Sequence, residues 1–224
     1  MINRGASFAF RVVVLGNNTE VGKTWTSTRL LQALRARGLN VAASKPIESG
    51  TDLSTPKGVP ADARDLAAAC GFNDWRRVCR WALAPPIAPA EALEREGIVI
   101  RDQDMEDAIA ESVSGADIAV VESAGGLWSP LYGERCSIDL LDSCDGALLV
   151  VADELGGMNQ AILSADAISA RFSGPLWVML NRKDPAAETL GNRKWITRLR
   201  PALTVFDCVN TLAEAVQRAP DAKV

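Results

Sequence analysis

A segment near the start of the chain has the composition and spacing of a phosphate-binding loop. Residues 16–24 read GNNTEVGKT, and they lie between an apolar run at residues 12–15 and a helical pattern that begins at Thr24. Backbone N–H groups at a helix start, together with the helix dipole, favour a bound phosphate. In such a loop Lys23 would neutralise the β- and γ-phosphates, and the Thr24 hydroxyl would bind Mg²⁺. The segment therefore predicts a nucleotide site, and a plain turn before a helix is the alternative.

A second candidate for binding phosphate, Lys45, follows the next predicted strand. Residues 45–50 read KPIESG, in which Pro46 and Gly50 frame a constrained turn. A lysine beside a triphosphate can neutralise phosphate or hold an anionic substrate. The alternative is an ordinary surface lysine after a strand, since most lysines are exposed.

Three further polar residues stand where a strand ends or a helix begins. Glu122 ends a buried apolar run, where an unpaired carboxylate is costly, so Mg²⁺ or a structural ion pair would have to balance it. Asp62 starts a helical pattern, and a first-turn carboxylate that complements the helix dipole is its simplest interpretation. Asn181 could present a donor and an acceptor to a nucleotide base, and a turn-forming asparagine is equally consistent with its position.

The elements that position these residues alternate between strand and helix. Continuous apolar runs are typical of strands buried on both faces. The alternation predicts a three-layer α/β/α fold of the P-loop NTPase type, a mostly parallel sheet with ligands at the C-terminal ends of its strands. The predicted strands are residues 11–15, 41–44, 78–83, 118–121, 147–151, 176–180 and 203–206, and the predicted helices are residues 24–37, 61–70, 90–96, 102–113, 160–170, 186–198 and 212–218.

Composition predicts one globular domain over residues 1–224. Hydrophobic residues make up 48% and charged residues 23% of the chain, and the net charge of −4 argues against binding to nucleic acid. We see no signal peptide and no apolar run near the roughly 18 residues of a membrane span, so a cytoplasmic protein without membrane contact is expected. The five cysteines are scattered and never spaced as C-x-x-C, which suggests neither disulfides nor a zinc site.

The chain contains no histidine. This excludes Ser-His and Cys-His nucleophile systems and histidine metal ligands. Proton transfers would fall to carboxylates, lysines, water or the substrate itself.

Taken together, these motifs resemble those of the dethiobiotin synthetase family. The matching segments are TEVGKT at residues 19–24, KPIESG at residues 45–50, Asp62 with Ala63, and ESAGG at residues 122–126, with weaker matches at residues 86–90 and 155–159. The resemblance covers most of the chain from Val12 to about Asn181. It implies an enzyme of biotin synthesis that uses ATP and CO₂ to convert 7,8-diaminopelargonic acid into dethiobiotin, ADP and phosphate, through a carbamate that ATP phosphorylates.

The resemblance also implies roles for individual residues and a homodimer with the active site at its interface. Asn159 resembles part of a partner-chain loop that holds the substrate carboxylate. Lys45 would meet the carbamate and the γ-phosphate, acting with the catalytic residues Lys23, Thr24 and Ser49. The implied Mg²⁺ ligands are Thr24, Asp62 and Glu122. The implied ATP-binding residues are Asn18, Thr19, Glu20, Val21, Gly22, Lys23, Thr24, Trp25 and Asn181, and the implied substrate-binding residues are Lys45, Ser49, Ser123, Ala124, Gly125 and Asn159.

Other readings of the phosphate loop fit less well. Partitioning and site-selection ATPases carry a second lysine at the position of Asn18, and cobyrinate-type amide synthases need a glutaminase with cysteine and histidine. A non-catalytic nucleotide-binding paralogue with a regulatory or scaffolding role is a further alternative. It is motivated by departures from the family pattern at Asn17, Asn18, Ser123 and Glu154.

Overall fold

The computed structural model describes residues 9–54, 58–183 and 190–223. The strands in these residues are β1 (Phe10–Gly16), β2 (Val41–Ser44), β3 (Ile47–Ser49), β4 (Trp81–Leu83), β5 (Ile118–Glu122), β6 (Pro130–Tyr132), β7 (Arg135–Cys136), β8 (Gly146–Ala152), β9 (Leu176–Asn181) and β10 (Thr204–Phe206). The α-helices are α1 (Lys23–Ala36), α2 (Ala61–Cys70), α3 (Pro89–Glu96), α4 (Asp102–Ser112), α5 (Gly157–Ser169), α6 (Asn192–Leu199) and α7 (Val209–Arg218). Short 3₁₀ helices span Trp75–Arg77, Ser137–Ser143 and Pro220–Lys223.

Six strands form one central sheet in the order β10-β9-β8-β1-β5-β2. Every pairing in this sheet is parallel. In the register at its centre, Val14 of β1 lies opposite Glu122 of β5 on one side and Leu148 of β8 on the other. The predicted α/β fold with a parallel sheet is therefore confirmed.

Both faces of the central sheet are buried, which explains the continuous apolar runs. Successive side chains of a strand point to opposite faces. On β1, Val12 and Val14 belong to one core cluster, which they share with α1, α2 and α7. Val13 and Leu15 belong to a second cluster, which they share with α3, α4, α5 and α6. The two layers of helices cover the sheet and leave the C-terminal ends of its strands to form a site.

Two small sheets lie outside the central one. β3 pairs in parallel with β4, and β6 pairs in antiparallel with β7. β3, β6 and β7 were not predicted, and β4 is shorter than the strand predicted over residues 78–83. None of the described helices combines the length and the apolarity that a membrane span requires.

Three helices start three or more residues away from the predicted position, and one of them is α7, which begins at Val209 and not at residue 212. α5 begins at Gly157 and not at residue 160, so Asn159 lies in its first turn and not in a loop. The prediction failed because two glycines, which are poor helix formers, open this helix. α6 begins at Asn192, whereas the prediction began at residue 186; residues 186–189 of that prediction lie outside the described residues.

Candidate active site

The phosphate loop connects β1 to α1, and glycine at position 22 fixes its end. Gly22 is the N-cap of α1 and has φ 93°, in the left-handed region that favours glycine. A Cβ at this position would lie 1.9 Å from Nδ2 of Asn181. That amide is buried at the end of β9 and donates a hydrogen bond of 2.9 Å to the Val21 carbonyl oxygen. The backbone of the loop is thus held from both sides, by its own glycine and by a side chain from a neighbouring strand.

The Lys23 side chain is buried beneath this loop. Its ammonium donates hydrogen bonds to the carbonyl oxygens of Asn18, at 3.1 Å, and Gly125, at 2.7 Å. Burial is the main cause that lowers the pKa of Lys23 to about 8. The carboxylate of Glu122 raises this pKa, whereas the positive charge of Lys45 lowers it further. Carbonyl oxygens of the phosphate loop and of Gly125 thus hold this ammonium between them, close to the position predicted for the phosphates.

Glu122 at the end of β5 is 1% exposed and is fully provided with donors. Its Oε1 accepts hydrogen bonds from Thr24 Oγ1 at 2.7 Å and from Lys45 Nζ at 2.9 Å, and its Oε2 accepts one from Ser27 Oγ at 2.7 Å. The ion pair that sequence reasoning kept open as an alternative is therefore present. Ser27 was missed, although its position one helical turn after Thr24 on α1 was a signal that both hydroxyls share a face.

Lys45 joins the two carboxylates of the site. Its buried ammonium contacts Asp62 as well as Glu122. Burial lowers the pKa of Lys45, but Glu122 and Asp62 outweigh this effect and hold the pKa above its ordinary value. Burial alone would raise the pKa of Asp62, yet the Lys45 ammonium holds that pKa below its usual range. Both groups are therefore charged at neutral pH and form an ion pair.

Glu48 is a site residue to which sequence reasoning assigned no role. It lies in β3, is 8% exposed, and accepts hydrogen bonds from the backbone N–H groups of Asp62 at 3.1 Å and Ala63 at 2.9 Å. Burial raises the pKa of its carboxyl, while Lys45 and the two N–H donors favour the charged form. The only sequence signal was an acidic residue inside KPIESG.

These side chains border a cavity of about 380 Å³ at the C-terminal end of the sheet. Most of the predicted site residues line it, including Trp25 at 43% exposure and Glu20, whose φ of 57° is unusual for a residue other than glycine. The lining residues are Thr19, Glu20, Gly22, Lys23, Thr24, Trp25, Lys45, Glu48, Ser49, Asp62, Ala124 and Gly125.

The remaining predicted residues do not line this cavity, and the buried Glu122 is one of them. Asn18 lines a more open cleft of about 560 Å³ on the other side of the loop, together with Trp128. Val21 and Asn181 are buried beneath the loop. Ser123 is also buried, and its Oγ has no hydrogen-bond partner among the described residues.

Asn159 is exposed in the first turn of α5 and belongs to neither cavity. The neighbouring Gln160 accepts a hydrogen bond from Asn17, which links α5 to the phosphate loop. A predicted site residue on α5 is thus adjacent to the site without entering it.

The donor set fits a Mg²⁺ ion. The carboxylates of Asp62 and Glu122 both contact the Lys45 ammonium, and the Thr24 hydroxyl donates to the same oxygen of Glu122, so three oxygen-bearing side chains lie close together. Mg²⁺ prefers oxygen ligands and usually takes one or two carboxylates, completed by water and substrate phosphates. Within residues 9–54, 58–183 and 190–223, no cluster of three or more His, Cys, Asp or Glu side chains forms a complete metal site. The site matches the incomplete kind that a nucleotide completes.

The chain is similar in sequence to proteins of named function. A family model described as an AAA domain matches residues 11–216. The ATP-dependent dethiobiotin synthetase BioD of Nitrosospira multiformis is 40% identical over 175 residues, which are 77% of this chain and 75% of that protein. The ATP-dependent dethiobiotin synthetase BioD of Xanthomonas euvesicatoria pv. vesicatoria is 35% identical over 193 residues, which are 85% of this chain and 86% of that protein.

A solved structure supports the fold independently. The hydrogenase maturation factor HypB of Archaeoglobus fulgidus matches with a TM-score of 0.54 at 10% sequence identity, covering 94% of this chain and 90% of that one. At this identity the similarity concerns the fold alone.

Proposed function

This chain belongs to the family of ATP-dependent dethiobiotin synthetases, and from that membership we propose that it carboxylates 7,8-diaminopelargonic acid and closes the product ring, forming dethiobiotin in biotin synthesis. The overall reaction consumes one CO₂ and one ATP and yields ADP and phosphate. The observation that carries the proposal is the position of Lys45, whose buried ammonium lies beside Asp62, Glu122 and, through Glu122, the Thr24 hydroxyl of the phosphate loop. A cation at this point suits two anions at once, a phosphate and a carbamate.

The chemistry needs charge neutralisation and positioning more than a nucleophilic side chain. One substrate amine adds to CO₂ and loses a proton, which gives a carbamate. A carbamate oxygen then attacks the γ-phosphorus and ADP leaves. The second amine attacks the carbonyl carbon and loses a proton, and phosphate leaves with that oxygen as the ring closes. A chain without histidine can support each step, because the reactive groups all belong to the substrates.

We assign the phosphates to the loop and the carbamate to the opposite wall of the cavity. Lys23 would neutralise the β- and γ-phosphates, and Lys45 would hold the carbamate oxygens against the γ-phosphate. Ser49 lines the same cavity and would donate a hydrogen bond to the carbamate or accept one from the diamine. Ala124 and Gly125 also line the cavity, and the preceding residue Ser123 is buried.

A Mg²⁺ ion is part of the proposal. Thr24, Asp62 and Glu122 would hold it, and when bound it would supply positive charge to the phosphate oxygens. The cavity is lined by two lysines and by the carboxylates of Glu48 and Asp62, and the buried Glu122 pairs with Lys45 behind this lining. These side chains alone cannot neutralise a triphosphate, which is a physical reason to expect a divalent cation.

A homodimer in the cytoplasm is also part of the proposal. Asn159 is exposed at the start of α5 and does not enter the cavity of its own chain. This suits a role in a second copy's site, where the N–H groups at the start of α5 would hold the substrate carboxylate.

Product formation tests this function. With diaminopelargonate, bicarbonate, MgCl₂ and ATP, we expect dethiobiotin by mass spectrometry together with ADP, and no product when any one component is left out. The alternative, a regulatory or scaffolding paralogue, is not favoured by the relatives' names. Absence of dethiobiotin with ATP and with every other common nucleoside triphosphate would favour that paralogue.

A further inference from the structure

We propose that Glu48 is a positioning residue, which caps α2 from β3 and thereby holds Asp62 at the cation end of the site. The inference rests on the proposed function, because Asp62 matters only where a cation and a nucleotide bind. Glu48 is not assigned to substrate, nucleotide or metal; its contacts are with the backbone of α2.

The start of α2 has no cap of its own. Pro60 occupies the N-cap position, where Ser, Thr, Asp or Asn is usual, and makes no side-chain hydrogen bond to the helix. The first N–H groups of a helix have no partner within the helix. The two oxygens of Glu48 accept hydrogen bonds from two of these groups, those of Asp62 and Ala63. A buried carboxylate from another element thus replaces the missing local cap.

One short segment of chain holds Asp62 at two points. Lys45 contacts its side chain, and Glu48 accepts a hydrogen bond from its backbone N–H. That segment is itself held by β4 and by the residues that precede β4. Glu48 lies opposite Ala82 in the parallel pair, and the Lys45 N–H donates a hydrogen bond of 2.9 Å to the Val78 carbonyl oxygen. The segment of residues 45–48 therefore holds both the side chain and the backbone of Asp62, and pairing with β4 holds that segment in turn.

Removal of the Glu48 carboxylate should weaken cation binding while the ligands themselves remain. We would measure Mn²⁺ binding by electron paramagnetic resonance in the presence of ADP, with wild type and Glu48→Ala. Groups that orient metal ligands typically contribute about tenfold or more in metal affinity, and we expect a rise of that size in the Mn²⁺ dissociation constant. Should Glu48→Ala not fold, Glu48→Gln keeps one acceptor oxygen, and a smaller rise is expected.

A matched control separates positioning from general stability. Asp104 is also a capping carboxylate. Its Oδ2 accepts a hydrogen bond of 2.9 Å from the Arg101 N–H at the start of α4, and Asp104 borders a different cavity. Asp104→Ala should lower Tm but leave the Mn²⁺ dissociation constant unchanged. Equal Mn²⁺ affinity in Glu48→Ala and wild type would overturn the proposal.

A second variant tests whether the cap is the cause. Glu48→Ala combined with Pro60→Ser restores an N-cap oxygen for the N–H of Asp62 or Ala63. We expect the Mn²⁺ affinity to return most of the way to the wild-type value. A double variant with recovered Tm but unrecovered Mn²⁺ affinity would contradict positioning through the cap.

The same measurements distinguish this inference from the proposed function. A wild-type chain that binds Mn²⁺ with ADP but makes no dethiobiotin contradicts the function, and the variant affinities still decide the role of Glu48. A wild-type chain that binds no Mn²⁺ with ADP contradicts both.

Discussion

At the scale of single residues, Lys45 has a structural and a chemical role that one substitution would remove together. Its ammonium balances Glu122, which is 1% exposed, and contacts Asp62. Breaking a buried ion pair by removing one partner typically costs about 3–5 kcal/mol, because the other charge is left uncompensated. Glu122 keeps the Thr24 and Ser27 hydroxyls as donors, which reduces this cost.

We predict that Lys45→Gln lowers turnover by at least about a hundredfold, because it removes the charge that stabilises the transferring phosphoryl group. Its free energy of unfolding should fall by about 3 kcal/mol, whereas ADP affinity should change less than turnover. Steady-state kinetics, urea unfolding and calorimetric ADP titration measure the three quantities. Lys194→Gln, at an exposed position of α6, is the control and should match wild type. Equal losses of ADP affinity and turnover would show that Lys45 binds the nucleotide phosphates and does not specifically stabilise phosphoryl transfer.

Residue types and spacing predicted much of the site, because the rule for parallel sheets brings strand ends together. Lys23, Thr24, Lys45 and Glu122 were expected to meet, and hydrogen bonds join three of them. Glu48 was not expected, since its partners lie on a helix 14 and 15 residues further along the chain. Capping from a distant strand leaves no periodic pattern in the sequence.

At the scale of elements, the phosphate loop depends on close contact between the start of α1 and the end of β9. Gly22 and Gly38 both have left-handed backbone, with φ of 93° and 85°. A Cβ at Gly22 would lie 1.9 Å from Asn181 Nδ2, whereas a Cβ at Gly38 would have nothing within 4 Å. A substitution at Gly38 therefore tests backbone strain alone, whereas the same substitution at Gly22 adds a steric clash with Asn181.

We predict that Gly22→Ala and Gly38→Ala both lower stability, since each places alanine in the left-handed region. Only Gly22→Ala should displace the loop, and a displacement near 1 Å costs turnover on the order of a hundredfold. Parallel measurements of Tm, ATP affinity and dethiobiotin formation would check this. Normal turnover in Gly22→Ala would show that the loop tolerates a side chain beside Asn181, which would contradict this prediction.

Element boundaries were predicted best where the core determines them. β2 and α2 have the predicted bounds, and the strands at residues 118–122, 146–152 and 176–181 differ by one residue at one or both ends. Their apolar runs are long and buried on both faces. β3 was missed because it is three residues long, contains Glu48 and Ser49, and depends on pairing with a distant β4. Tertiary pairing, and not local propensity, makes that segment a strand.

At the scale of the whole molecule, the two helical layers cover the faces of the sheet and leave the C-terminal ends of its strands uncovered, where the site lies. Lys23, Lys45 and Glu122 lie close together at these strand ends. The net charge of the chain is −4. The carboxylates of Glu48, Asp62 and Glu122 outnumber the two lysines at this end of the sheet, which is why the proposal includes a divalent cation. The single-domain prediction over residues 1–224 and the homodimer stay predictions at this scale.

The central claim is that the site transfers the γ-phosphoryl group to a carbamate oxygen. Single-turnover reactions with ¹⁸O-labelled bicarbonate, ATP and diaminopelargonate test it directly, because ring closure releases phosphate with the oxygen that attacked. We predict one ¹⁸O atom in the phosphate formed with each dethiobiotin, read by mass spectrometry before the label exchanges with water. Dethiobiotin formed together with unlabelled phosphate would contradict the claim.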